Sequence, residues 1–134
     1  NLRSLMLTAS AAVPHLPPGG SITVTASIQA ASPSPDLIDY AMTKAAQVAY
    51  VSAAARDLGG QGIRVNAVAP GPIWTPLIPA TGWDAERLAG FGQDTPLGRA
   101  GQPAELAPAY VFLASDQASY VSGAVLAVTG GKSL

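Results

Sequence analysis

Three short segments rich in β-branched residues alternate with three longer helical segments, and this alternation limits the fold more than any other feature of the sequence. The strand-like segments are "SITVTAS" at 21–27, "IRVNAVA" at 63–69 and "AVLAVT" at 124–129. Apolar strands that are separated by helices favour a parallel sheet whose two faces are both covered. The sequence therefore predicts an α/β fold.

Residues that begin or end helices set the predicted bounds of the helical segments. The first segment covers 1–16 and stops before "PPGG". The second begins after Ser34, which can cap a helix with a proline in its first turn, and ends at Leu58 before two glycines. The third begins at Pro103, after a predicted loop that contains short helical pieces.

Composition excludes several classes of protein. The chain has 134 residues, enough for one small domain, and its net charge of −1 without any basic window argues against a nucleic-acid partner. It has no cysteine, and His15 is its only histidine, so we predict neither a disulfide nor a metal site. The lack of cysteine suits a reducing compartment, and we expect a cytoplasmic protein. Prolines and glycines between 14 and 20 interrupt the uncharged stretch, so no membrane span is predicted.

A tyrosine and a lysine, Tyr40 and Lys44, stand four residues apart in "LIDYAMTKAA" at 37–46 and so share one face of the predicted helix. Lowering a tyrosine pKa from about 10 to about 7 requires about 4 kcal/mol. A unit positive charge about 4 Å away supplies a similar free energy at an effective dielectric constant of ~20. A phenol tuned in this way can exchange a proton with an alcohol or a carbonyl.

Taken alone, a tyrosine followed by a lysine at this spacing is most often a surface pair. Its neighbours along the chain strengthen the functional interpretation. Ser27 ends the first predicted strand, and the second strand is followed by Pro70, Gly71 and Thr75. Ligands of α/β sheets bind beyond the carboxyl ends of the strands, where all of these residues are expected to meet.

The chain resembles the short-chain dehydrogenase/reductase family over its whole length, and most closely its aldehyde reductases and glucose/ribitol-dehydrogenase-like members. The motifs that carry the resemblance occur in family order: "NLRSL" at 1–5, "GSITVTAS" at 20–27, "DYAMTKAA" at 39–46, "IRVNAVAPGPIWTPL" at 63–77, "PLGRAGQPAELAPAYVFLAS" at 96–115, and "YVSG" with "VTGG" near the end.

The resemblance implies a catalytic role for four residues. Tyr40 is the implied general acid/base, and Lys44 is implied to lower the tyrosine pKa and to hold the nicotinamide ribose. Ser27 is implied to hydrogen-bond the substrate oxygen, and Asn1 to hold a proton-relay water. The implied activity is hydride transfer between a nicotinamide, NADP or NAD, and a small carbonyl or alcohol substrate.

The resemblance also implies contacts to the nicotinamide and an oligomeric state. The implied cofactor contacts are the catalytic pair and the segment after the second strand: Tyr40, Lys44, Pro70, Gly71, Ile73 and Thr75. In this family the helix that carries the tyrosine commonly meets its counterpart in another subunit. We therefore expect a homo-dimer or homo-tetramer.

The family's glycine-rich pyrophosphate turn has no counterpart in this sequence. "GGQG" at 59–62 follows a helix and precedes a strand, which is the reverse of a phosphate-binding turn. We therefore expect residues 1–134 to be the C-terminal catalytic part of a single domain, the C-terminal half of a Rossmann-type doubly wound parallel sheet, and to be inactive alone. The alternative functions are a non-catalytic fragment that acts as a binding or assembly piece, and an epimerase or dehydratase of the extended relatives.

Overall fold

The computed structural model describes all residues, 1–134, and reproduces the predicted alternation of helices and strands. In chain order the elements are α1 (Leu2–Ala12), β1 (Ser21–Thr25), α2 (Ile38–Leu58), β2 (Arg64–Pro70), α3 (Ala85–Ala89), α4 (Pro103–Ala114) and β3 (Val125–Val128). Single turns of 3₁₀ helix follow α1 and α2 and precede α2. None of the helices is both long enough and apolar enough to cross a membrane.

The strands form one parallel sheet in the order β1-β2-β3. Ser21 of β1 lies opposite Arg64 of β2, and Ala67 of β2 lies opposite Val125 of β3. Six of the seven β2 residues are buried, as expected for the central strand of a sheet with both faces covered. The predicted α/β class and parallel sheet are therefore confirmed.

Helices pack on both faces of the sheet. On one face, Val24 and Val65 join Val51 and Leu58 of α2 in a single apolar cluster. The next residue of β1, Thr25, points to the other face, since successive side chains of a strand alternate. There its hydroxyl lies 2.8 Å from the hydroxyl of Tyr110 on α4. Thus α2 covers one face of β1 and α4 covers the other.

A buried arginine joins the start of β2 to the end of α4. Arg64 is 8% exposed, and its guanidinium donates to the carbonyl oxygens of Leu113 at 2.7 Å and Ser115 at 3.2 Å. The last carbonyls of a helix have no partner within the helix and carry partial negative charge. The guanidinium satisfies two of them, which explains how its charge is tolerated in the interior.

Two predicted strand ends are corrected. The first strand ends at Thr25, so Ser27 does not end it but lies two residues beyond. Ser27 instead caps the 3₁₀ turn Ile28–Ala30. The second strand includes Pro70, opposite Val128, although the sequence predicted its end one residue earlier. Proline is tolerated there because its missing N–H would point toward β1, which has already ended.

An ion pair ties the loop before α4 to the first turn of that helix. Arg99 donates two hydrogen bonds to the Glu105 carboxylate, at 2.9 and 2.7 Å, and the backbone N–H of Gln102 donates a third at 2.8 Å. These hydrogen bonds lower the pKa of Glu105 to about 2, and the hydrogen bonding from Arg99 has the largest effect.

We expect the stability of the protein to fall in acid as the Glu105 carboxylate becomes protonated. The pKa of Glu105 is about 2 in the folded protein and ordinarily 4.5, so the stabilisation of the fold by the ionised carboxylate is fully present above about pH 4.5. The contribution is lost as the pH falls through the folded value. We expect the difference in free energy of unfolding between wild type and Glu105→Gln to shrink over that range, as measured by urea unfolding from neutral pH to about pH 2.

Glu86→Gln is the matched control, because Glu86 is an exposed carboxylate that forms no ion pair in the structure. This variant should not reproduce the acid-dependent difference. A difference for Glu105→Gln that stays constant from neutral to acid pH would contradict the structural role assigned to the pair.

Candidate active site

One large cavity lies beyond the carboxyl ends of β1 and β2, with a volume of ≈ 1240 Å³. Seven of the eight residues named from the sequence line it, and only Asn1 does not. The seven are Ser27, Tyr40, Lys44, Pro70, Gly71, Ile73 and Thr75. The fold therefore brings together residues that are spread over 49 positions of the sequence (75 − 27 + 1). Their individual roles stay predictions.

The tyrosine and the lysine lie on the first two turns of α2. Lys44 Nζ is 5.6 Å from the centroid of the Tyr40 ring. Tyr40 is 39% exposed and lines the cavity, whereas Lys44 is only 7% exposed. The pair thus presents a reachable phenol with a buried ammonium beneath it.

The lysine is held by the backbone of β1. Lys44 Nζ donates a hydrogen bond of 2.6 Å to the carbonyl oxygen of Thr25, the last residue of that strand. Burial lowers the pKa of Lys44, because removal from water disfavours the charged form. A carbonyl at the end of a strand is a suitable partner, because its hydrogen bond replaces one that the ammonium made with water and holds the ammonium in position.

Ser27 is 6% exposed and lies at the cavity wall. Its hydroxyl oxygen accepts a hydrogen bond of 3.2 Å from the backbone N–H of Gln29. The Gln29 side chain in turn accepts from the N–H of Ser34 at 2.6 Å, which ties this turn to the segment before α2. A hydroxyl that accepts one bond still has its own proton to donate. Ser27 can therefore hydrogen-bond a ligand oxygen.

Asn1 lies away from the large cavity, in a second one of ≈ 450 Å³. The side-chain amide of Asn1 donates to the Thr43 hydroxyl at 2.8 Å. The side-chain amide of Gln47 donates to the backbone carbonyl oxygen of Asn1 at 3.5 Å. Thr25 and Lys44 line both cavities, and the Thr43 hydroxyl that accepts from Asn1 donates to the backbone carbonyl oxygen of Tyr40 at 2.8 Å. Sequence reasoning missed Gln47, which is 6% exposed and has an unpartnered Oε1 atom.

The segment after β2 is fixed by backbone contacts. A Cβ atom added to Gly71 would lie 2.8 Å from Cα and 2.9 Å from the carbonyl oxygen of Thr129. The absence of a side chain at Gly71 therefore lets the chain after β3 approach closely. Ile73 forms a parallel bridge with Gly101, so the loop is anchored just before α4. Thr75 is half-buried at the cavity wall.

Aromatic and charged residues complete the cavity lining, and most of them were not identified from the sequence. Trp83 and Phe91 line it with ring centroids 6.0 Å apart, and Arg87 lies over the Trp83 ring. Asp94 and Lys132 also line it and form an ion pair with each other. These residues lie in the loop between β2 and α4 or after β3, where no periodic pattern marks a lining residue. The structure contains no cluster of three metal-ligating side chains.

Comparison with known proteins shows the family. A family model described as enoyl-(acyl carrier protein) reductase matches residues 1–133. The "glucose and ribitol dehydrogenase homolog" of Oryza sativa subsp. japonica is 57% identical over 113 residues, which are 84% of this chain and 37% of that protein. The "NADPH-dependent aldehyde reductase 1, chloroplastic" of Arabidopsis thaliana is 47% identical over 132 residues, 98% of this chain and 46% of that protein.

A solved structure shares the fold. It is the crystal structure of a Beutenbergia cavernae protein, provisionally assigned as an NAD(P)-dependent gluconate 5-dehydrogenase, with NADP bound at low occupancy. Its TM-score is 0.79 and its sequence identity is 38%, over 91% of this chain and 48% of that one.

This chain belongs to the short-chain dehydrogenase/reductase family, and the resemblance to its aldehyde reductases and glucose/ribitol dehydrogenases is confirmed. It spans about half the length of most curated relatives that it matches.

Substitution of Gly71 tests the close contact that shapes this site. We expect Gly71→Ala to lower the free energy of unfolding by about 1–3 kcal/mol, because the new methyl group would overlap the backbone of Thr129. Gly59→Ala is the control, since a Cβ atom there meets nothing within 4 Å. Both variants are compared with wild type by urea unfolding. Equal effects at the two positions would contradict the proposed contact.

Proposed function

We propose that this chain is the catalytic part of an NAD(P)-dependent oxidoreductase that interconverts a small carbonyl compound and its alcohol. The observation that carries the proposal is the arrangement of Ser27, Tyr40 and Lys44 around one cavity at the carboxyl ends of β1 and β2. Each side chain there has the chemistry that proton transfer to a carbonyl oxygen requires.

In the proposed reaction the cofactor handles the hydride and the side chains of this chain handle the proton. When bound, the nicotinamide supplies or accepts the hydride at the substrate carbon. In reduction, the Tyr40 hydroxyl gives its proton to the substrate oxygen, and Ser27 donates a hydrogen bond to the same atom. Lys44 stabilises the phenolate that remains, and a solvent proton then restores the phenol. In alcohol oxidation the same groups act in reverse, with Tyr40 as the base.

The volume of the cavity supports the proposal that a nicotinamide and a small substrate bind there together. Its volume of ≈ 1240 Å³ exceeds the ~300–1,000 Å³ typical of sites for a single small ligand. We propose that Pro70, Gly71, Ile73 and Thr75 contact the nicotinamide and that Lys44 holds its ribose hydroxyls. The NADPH-dependent relative and the NADP-bound neighbour support NADP or NAD as the cofactor.

We further propose that residues 1–134 are the C-terminal catalytic part of a single domain, because the chain spans about half of most of its relatives. In this proposal the dinucleotide-binding half belongs to a longer polypeptide that carries this chain. A homo-dimer or homo-tetramer and a cytoplasmic location stay predictions. A purely non-catalytic role is less favoured, because the serine, tyrosine and lysine are all present and meet at one cavity.

The Tyr40 hydroxyl should be essential for turnover. In the longer polypeptide, we expect Tyr40→Phe to lower kcat by at least about 10²–10⁴-fold, since only the group that moves the proton is removed. NADPH affinity, measured by fluorescence titration, should be nearly unchanged. The kinetic measurement follows NADPH oxidation with a panel of small aldehydes.

Tyr50→Phe is the matched control, because Tyr50 lies on the same helix but does not line the cavity. It should retain wild-type kcat. Near-normal turnover of Tyr40→Phe would refute the acid/base assignment. A wild-type polypeptide that binds NADPH but reduces no carbonyl compound would instead support the binding or assembly role.

A further inference from the structure

The cavity lining contains an exposed guanidinium that stacks on an aromatic ring and has no polar partner. The Cζ atom of Arg87 lies 4.2 Å from the centroid of the Trp83 ring. The Trp83 ring packs against Phe91, whose ring packs against Trp74, with centroids 6.0 Å apart in each pair. Arg87, Trp83 and Phe91 all line the cavity. The aromatic rings thus form a platform that restricts where the guanidinium can lie.

The carboxylates near Arg87 do not neutralise it. The two ion pairs of the structure are Arg99–Glu105 and Lys132–Asp94. Asp84, three residues before Arg87, accepts a hydrogen bond of 2.8 Å from its backbone N–H and not from its guanidinium. Stacking on an indole occupies the face of a guanidinium and leaves its N–H edges available for in-plane hydrogen bonds.

The charged groups of the lining favour an anion. They are Lys44, Arg87, Lys132 and Asp94, three cations and one anion, which gives a net charge of +2. Asp94 is already paired with Lys132, and the Lys44 ammonium is bound to the Thr25 carbonyl oxygen. Arg87 is therefore the one lining cation whose charged group has no hydrogen bond within the protein.

We propose that Arg87 binds a carboxylate or phosphate group of the substrate, so that the substrate class is an anionic carbonyl compound or hydroxy acid. A guanidinium edge matches the two oxygens of such a group, and the apolar part of the substrate packs on the ring of Trp83 or Phe91. This inference rests on the proposed function, since it names the substrate class of the same site.

Two matched pairs of aldehydes test the proposal with the longer polypeptide. The first pair is 4-carboxybenzaldehyde and methyl 4-formylbenzoate, which differ in charge but share the ring and the aldehyde. The second pair is glyceraldehyde 3-phosphate and glyceraldehyde. We expect wild type to prefer the anionic member of at least one pair. Arg87→Met should lower kcat/KM for that anion by about 10- to 100-fold, mainly through KM, as expected for loss of a charge-assisted hydrogen bond.

The neutral aldehydes and NADPH provide internal controls. Arg87→Met should leave kcat/KM for the neutral members and KM for NADPH unchanged. Arg56→Met, at an exposed arginine outside the cavity, should change none of these values. Arg87→Lys keeps the charge but not the planar edge and should retain part of the preference. A rise in KM for NADPH, or equal losses for charged and neutral aldehydes, would overturn the proposal.

A binding experiment separates this proposal from the proposed function. Benzoate and methyl benzoate are added to wild type and to Arg87→Met, and binding is followed by saturation-transfer NMR. Benzoate binding that depends on Arg87, in a protein that reduces no aldehyde, supports the anion site while refuting the oxidoreductase. Turnover of aldehydes without an Arg87-dependent preference for either anion, and without Arg87-dependent benzoate binding, refutes the anion site alone.

Discussion

The hydrogen bond from Lys44 to the Thr25 carbonyl oxygen, 2.6 Å long, fixes the geometry on which the candidate site depends. A buried ammonium without a partner is costly, so α2 must dock where its lysine reaches the end of β1. Tyr40, one turn earlier, is thereby placed at the cavity wall. Thr25 is itself held from both sides, by its strand pairing with Val68 and by the hydroxyl contact with Tyr110. Contacts from the helices on both faces of the sheet thus meet at the end of β1.

The opposite wall is shaped by close contacts at two glycines. Gly71 admits the chain after β3, and Gly101 admits Ile73, whose Cδ1 atom would be 2.8 Å from an added Cβ. At Gly71 the neighbouring atoms are backbone, so a side chain there would separate the two segments, whereas at Gly101 the neighbour is the end of the Ile73 side chain. The loop between β2 and α4 is anchored at this point and at the Arg99–Glu105 pair. The aromatic platform that carries Arg87 lies in the same loop.

The sequence predicts what depends on local pattern, and it does not predict what depends on tertiary contact. The parallel sheet, the helix through Tyr40 and Lys44, and the convergence of strand-end residues follow from periodicity and from the rule for α/β sheets. The partner of Lys44 is a backbone carbonyl, which has no sequence signature. The packing of Phe91 against Trp74 joins residues that no periodic pattern relates, whereas Arg87 and Trp83 are only four residues apart and their stack becomes visible in the structure. Asn1 was predicted with the catalytic group but lies in a neighbouring cavity, since family order does not give distance.

The neighbouring cavity bears on the environment of Lys44. β1 is an edge strand in this sheet, and Asn1, Lys44 and Gln47 line the cavity beside it. The Gln47 Oε1 atom is buried there without a partner, which in a folded protein costs about 1–3 kcal/mol. An unpaired strand edge is satisfied when a further strand pairs with it, and a strand paired with β1 would lie beside the cavity that Gln47 lines. Such a strand would also cover the Asn1 side of Lys44 and deepen the burial that lowers its pKa. The proposed division of the domain would therefore also affect Lys44, because a strand on this edge would lie beside the cavity that the lysine lines.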